Sequence, residues 1–245
     1  MKTLDMTGAA DHLKNGFDLG KCDVLRELNL QSSGSGSTGW WLVLNACKSL
    51  RRLNVRNQAQ AKTGSNTSKE LDLSNQTKLE YLDARGTQVE SVNFAQGAPL
   101  TTAYLPRTLT TLKLEYLSKL MPTRLYIESF ANVNTFIFSG CPNLDWQSLL
   151  DKCTNVKRIR VTGIDMDGDG SLLDKYITAG GVDADGNYTD TCAFVGSYRL
   201  TRFVDDATYA AYVAHFPELN ITLPEYTTIK FDDSVSDSAN ISNLD

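Results

Sequence analysis

A chain of 245 residues with 41% hydrophobic and 22% charged residues has the composition of a folded domain and is long enough to bury a sizeable core. Its formal net charge of -5, with both signs spread along the sequence, argues against nucleic acid as a partner, because neutralising phosphates takes a basic stripe. No apolar run approaches the roughly 20 residues of a bilayer-spanning helix, so no membrane span is expected.

The start, Met1 to Asp5, lacks the apolar stretch of a signal peptide. That leaves a cytoplasmic chain, one exported by other means, or a piece of a longer protein. The five cysteines (Cys22, Cys47, Cys141, Cys153 and Cys192) are odd in number and contain no CxxC pair. Buried free thiols are therefore expected rather than a thiolate metal site or a disulfide framework.

One pattern, apolar-x-x-apolar-x-apolar, runs through most of the chain. Met1, Leu4 and Met6 form a partial first copy. Full copies follow at Leu25/Leu28/Leu30, Leu50/Leu53/Val55, Leu79/Leu82/Ala84, Val89/Val92/Phe94, Leu100/Ala103/Leu105 and Leu109/Leu112/Leu114. Two more lie at Val133/Phe136/Phe138 and Val156/Ile159/Val161, with weaker ones at Leu71/Leu73 and Leu125/Ile127. Each copy predicts a short strand whose alternate side chains point inward. One coil cannot bury that face alone, so neighbours must stack. The outer copies lie about 23–25 residues apart, as in coils with one strand and a longer return. Between Leu71 and Phe138 the spacing halves, which predicts an extended segment on both faces of each coil.

The segments between the copies follow in order. Residues 40–49 are amphipathic and read as a short outer helix. The polar residues 57–69 read as an exposed loop. Residues 145–153 read as a second helix, N-capped by Asp145 and preceded by Pro142. Beyond Val161 the pattern changes. A short helix is expected at 171–178, stopped by Gly180 and Gly181, then turn residues at 182–188 and a hairpin over 188–200. Asp206 is placed to cap a helix over 207–215, ended by Pro217, with a closing strand at 219–223. This block would cover the end of the core. The domain reading is thus a repeat array at 1–165, a capping region at 166–230, and an acidic linker or tail at 231–245.

Residues 77–94 resemble the 21-residue leucine-rich repeats common in bacterial surface proteins. The resemblance covers about residues 20–165 and implies an α/β repeat fold: a leucine-rich-repeat solenoid with short parallel strands, few short outer helices, and a C-terminal capping hairpin and helix. The family's usual asparagine after the strand is replaced by Thr87 and Thr108, so its asparagine ladder is not expected. Residues 180–200 and 215–221 resemble segments that close repeat arrays in tail-associated virion proteins of gut bacteriophages. That resemblance implies a virion module for protein or host-surface binding, with other virion subunits as possible neighbours. A bacterial surface or secreted leucine-rich-repeat adhesin is the alternative, placing the chain outside the cell.

Three motifs bear on chemistry. Gly34, Gly36 and Gly39 match GxGxxG between a strand and a helix, as in a dinucleotide site. Three residues separate the strand from the first glycine, however, and the acidic residue expected after the second strand is Arg56 or Asn57, so a plain Gly/Ser turn is the simpler reading. Asp165, Asp167 and Asp169, with Gly170, copy the first half of a calcium loop. The twelfth position, which needs a bidentate glutamate, is Tyr176, so a polar turn capping the next helix is the alternative to calcium. The two histidines, His12 and His215, lie in end regions, and no GxSxG, HExxH or P-loop occurs, so no catalytic residue is assigned and an enzyme is not expected.

Recognition is expected of the outward strand positions. These include Arg26, Glu27, Asn29, Arg51, Arg52, Asn54, Glu80, Tyr81, Asp83, Arg85, Tyr104 and Arg107. They mix Arg with Tyr, the residues that dominate binding hot spots, and the alternative is a merely solvated face. Tyr81, Arg85, Tyr104 and Arg107 are the candidate contacts for a protein or surface-glycan partner.

Overall fold

The computed structural model describes residues 2–9, 17–32, 42–57, 69–162, 165–166, 175–196, 198–200, 214–216 and 221–222. The chain forms two compact units, Met1–Lys157 and Arg158–Asp245. The first is a parallel β-solenoid of about six turns with very little helix.

One side of the solenoid is a six-stranded ladder of β1 (Thr3–Asp5), β3 (Glu27–Asn29), β5 (Arg52–Asn54), β7 (Tyr81–Asp83), β9 (Thr102–Leu105) and β11 (Leu125–Ile127), paired in that order. The other side pairs β2 (Phe17–Asp18) with β4 (Leu42–Val43), β6 (Glu70–Leu73) with β8 (Ser91–Phe94), and β10 (Thr111–Glu115) with β12 (Thr135–Ser139). Every pair is parallel. The expected extended segments on both faces are present, and they reach back to β2, before Leu71. Register follows the apolar pattern: Leu28 stands opposite Leu53, Leu82 opposite Ala103, and Leu71 opposite Val92. A shift by one residue would turn these side chains to water, which is what fixes the register.

The inward positions form a continuous apolar column. Leu28, Leu53, Leu82, Ala103, Leu71, Val92, Leu112 and Phe136 are all buried. A second inward column comes from tight turns on the way into each six-strand-side segment. In these turns the N–H of Cys22, Cys47, Gln76, Ala98 and Leu120 donates to the carbonyl three residues earlier, on Leu19, Leu44, Leu73, Ala95 and Leu117. Gln76 is the polar member of the series. Its Nε2 donates to the Leu44 carbonyl at 2.8 Å, so its burial leaves no unmet donor on that side.

The corner after each six-ladder strand is built by side chains. Asp5, Asn29, Asn54 and Asp83 each accept, through Oδ1, the backbone N–H two residues on. One residue further the backbone enters the left-handed region, at Gly8 (φ 74°), Ser32 (φ 54°), Asn57 (φ 58°) and Gly86 (φ 68°). Asp and Asn are suited to this because a short side chain can replace a backbone turn bond. A stacked row of polar corners therefore exists, formed by residues inside the strands. Of the threonines that replace the family's asparagine, Thr108 bridges coils, its Oγ1 lying within hydrogen-bond reach of the carbonyls of Thr87 (3.1 Å) and Val89 (2.6 Å), whereas Thr87 Oγ1 donates within its own coil to the carbonyl of Ala84 (2.8 Å).

Of the two helices expected in the array, one needs correction. Within residues 40–49, Leu42 and Val43 form β4, followed by turns. Leu42 and Leu44 are buried on either side of half-buried Val43, a period of two that outweighs the helical spacing. The helix expected at 145–153 is present as α1 (Trp146–Leu150), and Asp145 caps it by accepting from the N–H groups of Gln147 and Ser148.

The second unit contains β13 (Arg158–Thr162), β14 (Asp165–Met166), β15 (Ile177–Thr178), β16 (Thr191–Cys192), β17 (Tyr198–Leu200) and β18 (Ile221–Thr222). The helix expected over 171–178 is overturned at its end, where Ile177 and Thr178 pair antiparallel with Cys192 and Thr191. That pairing also moves the hairpin from 188–200 to 177–192. Its tip is the turn 183–187, where Asp183 Oδ1 accepts from the N–H groups of Asp185 and Asn187. Tyr198–Leu200 instead pairs parallel with β14 and with β18, the latter inside the expected closing strand. Most of the helix expected at 207–215 and the tail 231–245 lie outside the described residues.

Candidate functional site

Side chains alternate across a strand, so the outward rows of the six-stranded ladder are set by register. One row runs Thr3, Glu27, Arg52, Tyr81 and Thr102; the next runs Asp5, Asn29, Asn54, Asp83, Tyr104 and Tyr126. The rows converge on a tyrosine cluster. The rings of Tyr81 and Tyr104 lie 5.9 Å apart between centroids and those of Tyr104 and Tyr126 6.2 Å, all tilted, within the range of favourable aromatic pairs.

Two guanidinium groups interleave with the rings. Arg52 sits 4.3 Å from the Tyr81 centroid, and Arg85 lies 4.2 Å from that of Tyr104 and 6.0 Å from that of Tyr126. Arg85 is held from behind by Asp83, which accepts from its Nε at 3.0 Å and its Nη2 at 2.5 Å. Asp83 is buried and Arg85 is 25% exposed, so the carboxylate is a hidden anchor and the guanidinium faces out. The hydrogen bond to Asp83 keeps Arg85 charged beyond its usual range. Burial pushes the Tyr81 phenol above its ordinary value, with Asp83 adding to it. A preformed fork stacked on aromatic faces loses little side-chain freedom on binding.

Of the four expected contact residues, Tyr81, Arg85 and Tyr104 are brought together. Arg107 is exposed in the turn after β9, where its backbone N–H donates to Glu128 Oε2 at 3.2 Å. The same carboxylate oxygen accepts from Gly86 N at 3.1 Å, where inner corners use a carbonyl of the next coil. Two members lie outside those four: Arg52, already among the expected outward positions, and Tyr126, which was missed. Arg52 follows from its register opposite Tyr81, and Tyr126, 51% exposed, from the register of the weak copy Leu125/Ile127 against Ala103/Leu105.

The remaining candidates fall largely elsewhere. Gly34, Gly36, Gly39, His12, Asp167 and Asp169 lie outside the described residues, and Asp165 lies in β14. His215 Nε2 is 3.3 Å from Asp190 Oδ2, and that contact, after the bond from Gly180 N–H, helps hold the Asp190 carboxyl below its ordinary range. All five cysteines are free, four of them buried and Cys22 half-buried. Among the described residues no three His, Cys, Asp or Glu side chains gather as metal ligands, and no helix is long and apolar enough to cross a membrane. Comparisons with protein-family models, curated proteins and solved structures return no match to this chain.

Proposed function

We propose that the chain is a non-enzymatic recognition scaffold of the leucine-rich-repeat type, which holds a protein or surface glycan on its six-stranded face without turning it over. The observation that carries this reading is the cluster of Tyr81, Tyr104 and Tyr126, drawn from two adjacent rows and interleaved with Arg52 and Arg85. Tyr and Arg are the side chains that most often dominate binding energy, and tyrosine faces also stack on sugar rings. The 21-residue register of Leu82 on Ala103 and of Leu71 on Val92 supports the repeat type. The resemblance of residues 180–200 and 215–221 to tail-associated virion segments favours a phage particle as the setting, with a bacterial surface adhesin as the second reading.

The test replaces Tyr81, Arg85, Tyr104 and Arg107 together with alanine and measures particle assembly, attachment to host cells, and binding to an array of surface glycans. Because Arg85→Ala strands the buried Asp83 carboxylate, a second variant, Tyr104→Ala with Tyr126→Ala, leaves that pair intact. Both are expected to lose binding at least ten-fold. Unchanged assembly and attachment in a folded variant would remove this face from consideration.

A further inference from the structure

Among the described residues the six-stranded ladder stops at β11, although the chain continues. After β12 and the turn at Cys141–Leu144, the segment that would return as a seventh strand is the helix α1. The inner coils show what that strand would supply. Leu30, Val55 and Ala84 each donate their N–H to a carbonyl of the following coil, on Asn54, Asp83 and Tyr104. Ile127 stands at the same register, opposite Leu105. Glu128 N–H points back to the Leu105 carbonyl, so Ile127 N–H points away from β9, and it meets no acceptor among the described residues.

The side chains tell the same story. Ala103 and Leu105 are buried, whereas their register partners Leu125 and Ile127 are only half-buried, as is Phe130. Together with Leu149 of α1 they line a groove of about 370 Å³ beside the open edge. Two charged residues also line it. Asp145 is committed to capping α1 and to Ser148 Oγ. Its carboxylate stays charged, but its oxygens are occupied by those donors. Lys152, with its Nζ 5.7 Å from the Phe130 ring centroid, has no carboxylate within ion-pair distance among the described residues, so its ammonium is the charged group of the lining left without an ionic partner. An open strand edge is a template for another strand, and an apolar wall beside an ammonium without an ion-pair partner selects which one.

We propose that this groove receives an extended peptide segment of a partner protein, added to β11 as a further strand. Alternating apolar side chains would face Leu125, Ile127 and Phe130, and a carboxylate of the segment would reach Lys152. The Ile127 N–H would donate to the incoming backbone. Tyr126 of the tyrosine cluster also lines the groove, but Tyr81 and Tyr104 do not, so substitutions at those two separate the sites by experiment.

The test uses the full chain and two pools of short synthetic peptides that alternate Val, Ile, Leu or Tyr with Thr or Ser. One pool ends in two aspartates and the other in two lysines. Hydrogen exchange at the Ile127 amide is expected to slow at least ten-fold with the acidic pool and not with the basic one. Lys152→Glu should reverse that preference, and Tyr81→Ala with Tyr104→Ala should leave it unchanged. Absence of protection by both pools, or equal protection by both, overturns the proposal. So does concentration-dependent protection without peptide, which sedimentation would trace to a second copy of the chain.

Discussion

Asp83 is where the stability of the solenoid and the shape of its outer face meet, and two substitutions there separate the parts. Its Oδ1 accepts the Arg85 N–H at 3.2 Å, as Asn29 and Asn54 do for their own corners, and its carboxylate also binds the Arg85 side chain through two nitrogens. Asp83→Asn keeps the corner bond, because Asn serves that purpose in the two coils before it, but removes the charge. A hydrogen bond to a charged group contributes about 1.5–3 kcal/mol, and Arg85 is partly in solvent, so a loss of about 1–2 kcal/mol is expected. Asp83→Ala removes the corner acceptor as well and leaves the Arg85 N–H without it, adding about 1 kcal/mol or more. The assay is the urea midpoint at constant slope, since stacked repeats need not unfold in one step. Arg85→Ala in the Asp83→Asn background should cost less than in the parent, by about 1 kcal/mol, which measures the ion pair directly. If Asp83→Asn destabilises as much as Asp83→Ala, the corner bond contributes nothing and the account of the polar row is wrong.

Gly86→Ala should destabilise clearly more than Gly97→Ala, because both glycines have positive φ (68° and 71°) but a Cβ at Gly86 would overlap Asn57 while one at Gly97 meets nothing. The conformational part is about 1–2 kcal/mol at each site, so equal thermal shifts would show that the corner can open to admit the methyl group. Alkylation by iodoacetamide at pH 8, followed by peptide mass spectrometry, should modify Cys22 first. Burial pushes the Cys47 and Cys153 thiols up to about 11, leaving little thiolate, and labelling of Cys47 as fast as Cys22 would show that the column is open to solvent.

The stacking was legible because burial forces a period, and Leu28, Leu53 and Leu82 carry it openly. The inward turn was equally present, in Leu19/Cys22/Leu25, Leu44/Cys47/Leu50 and Leu73/Gln76/Leu79, spaced by three and then three. It was obscured because the middle position changes from Cys to Gln, Ala and Leu, and because a spacing of three looks helical, which turned residues 40–49 into a helix. The polar corners were hidden for another reason. Asp5, Asn29, Asn54 and Asp83 occupy outward strand positions, where composition alone cannot separate a residue bonding its own backbone from one offered to a partner. Asn29 and Asn54 belong to the first kind: each caps its corner and reaches the coil before it, Asn29 to Thr7 and Asn54 to Gln31. The hairpin was misplaced because 188–200 carries the alternation, while the antiparallel partner of Thr191–Cys192 is a two-residue strand too short to announce itself.

The tyrosine row begins where the polar row ends, and one residue explains the change. In the first four coils the residue two positions after the corner Asp or Asn has an N–H that the corner side chain caps. At Tyr104 that position is Pro106, which has no N–H. No Asp or Asn is needed there, so the outward site is released for a side chain that serves the surface, and Tyr126 continues it in the next coil. The carboxylate that finishes the corner comes instead from Glu128, which accepts from both Gly86 and Arg107. Support for the fold passes to a residue outside the face, and Asp83, the last member of the polar row, uses its remaining oxygen to aim Arg85 at the first ring released. The solenoid thus needs its outward row in the early coils for its own corners. The place where it stops needing them is where Tyr104, Tyr126 and Arg85 gather.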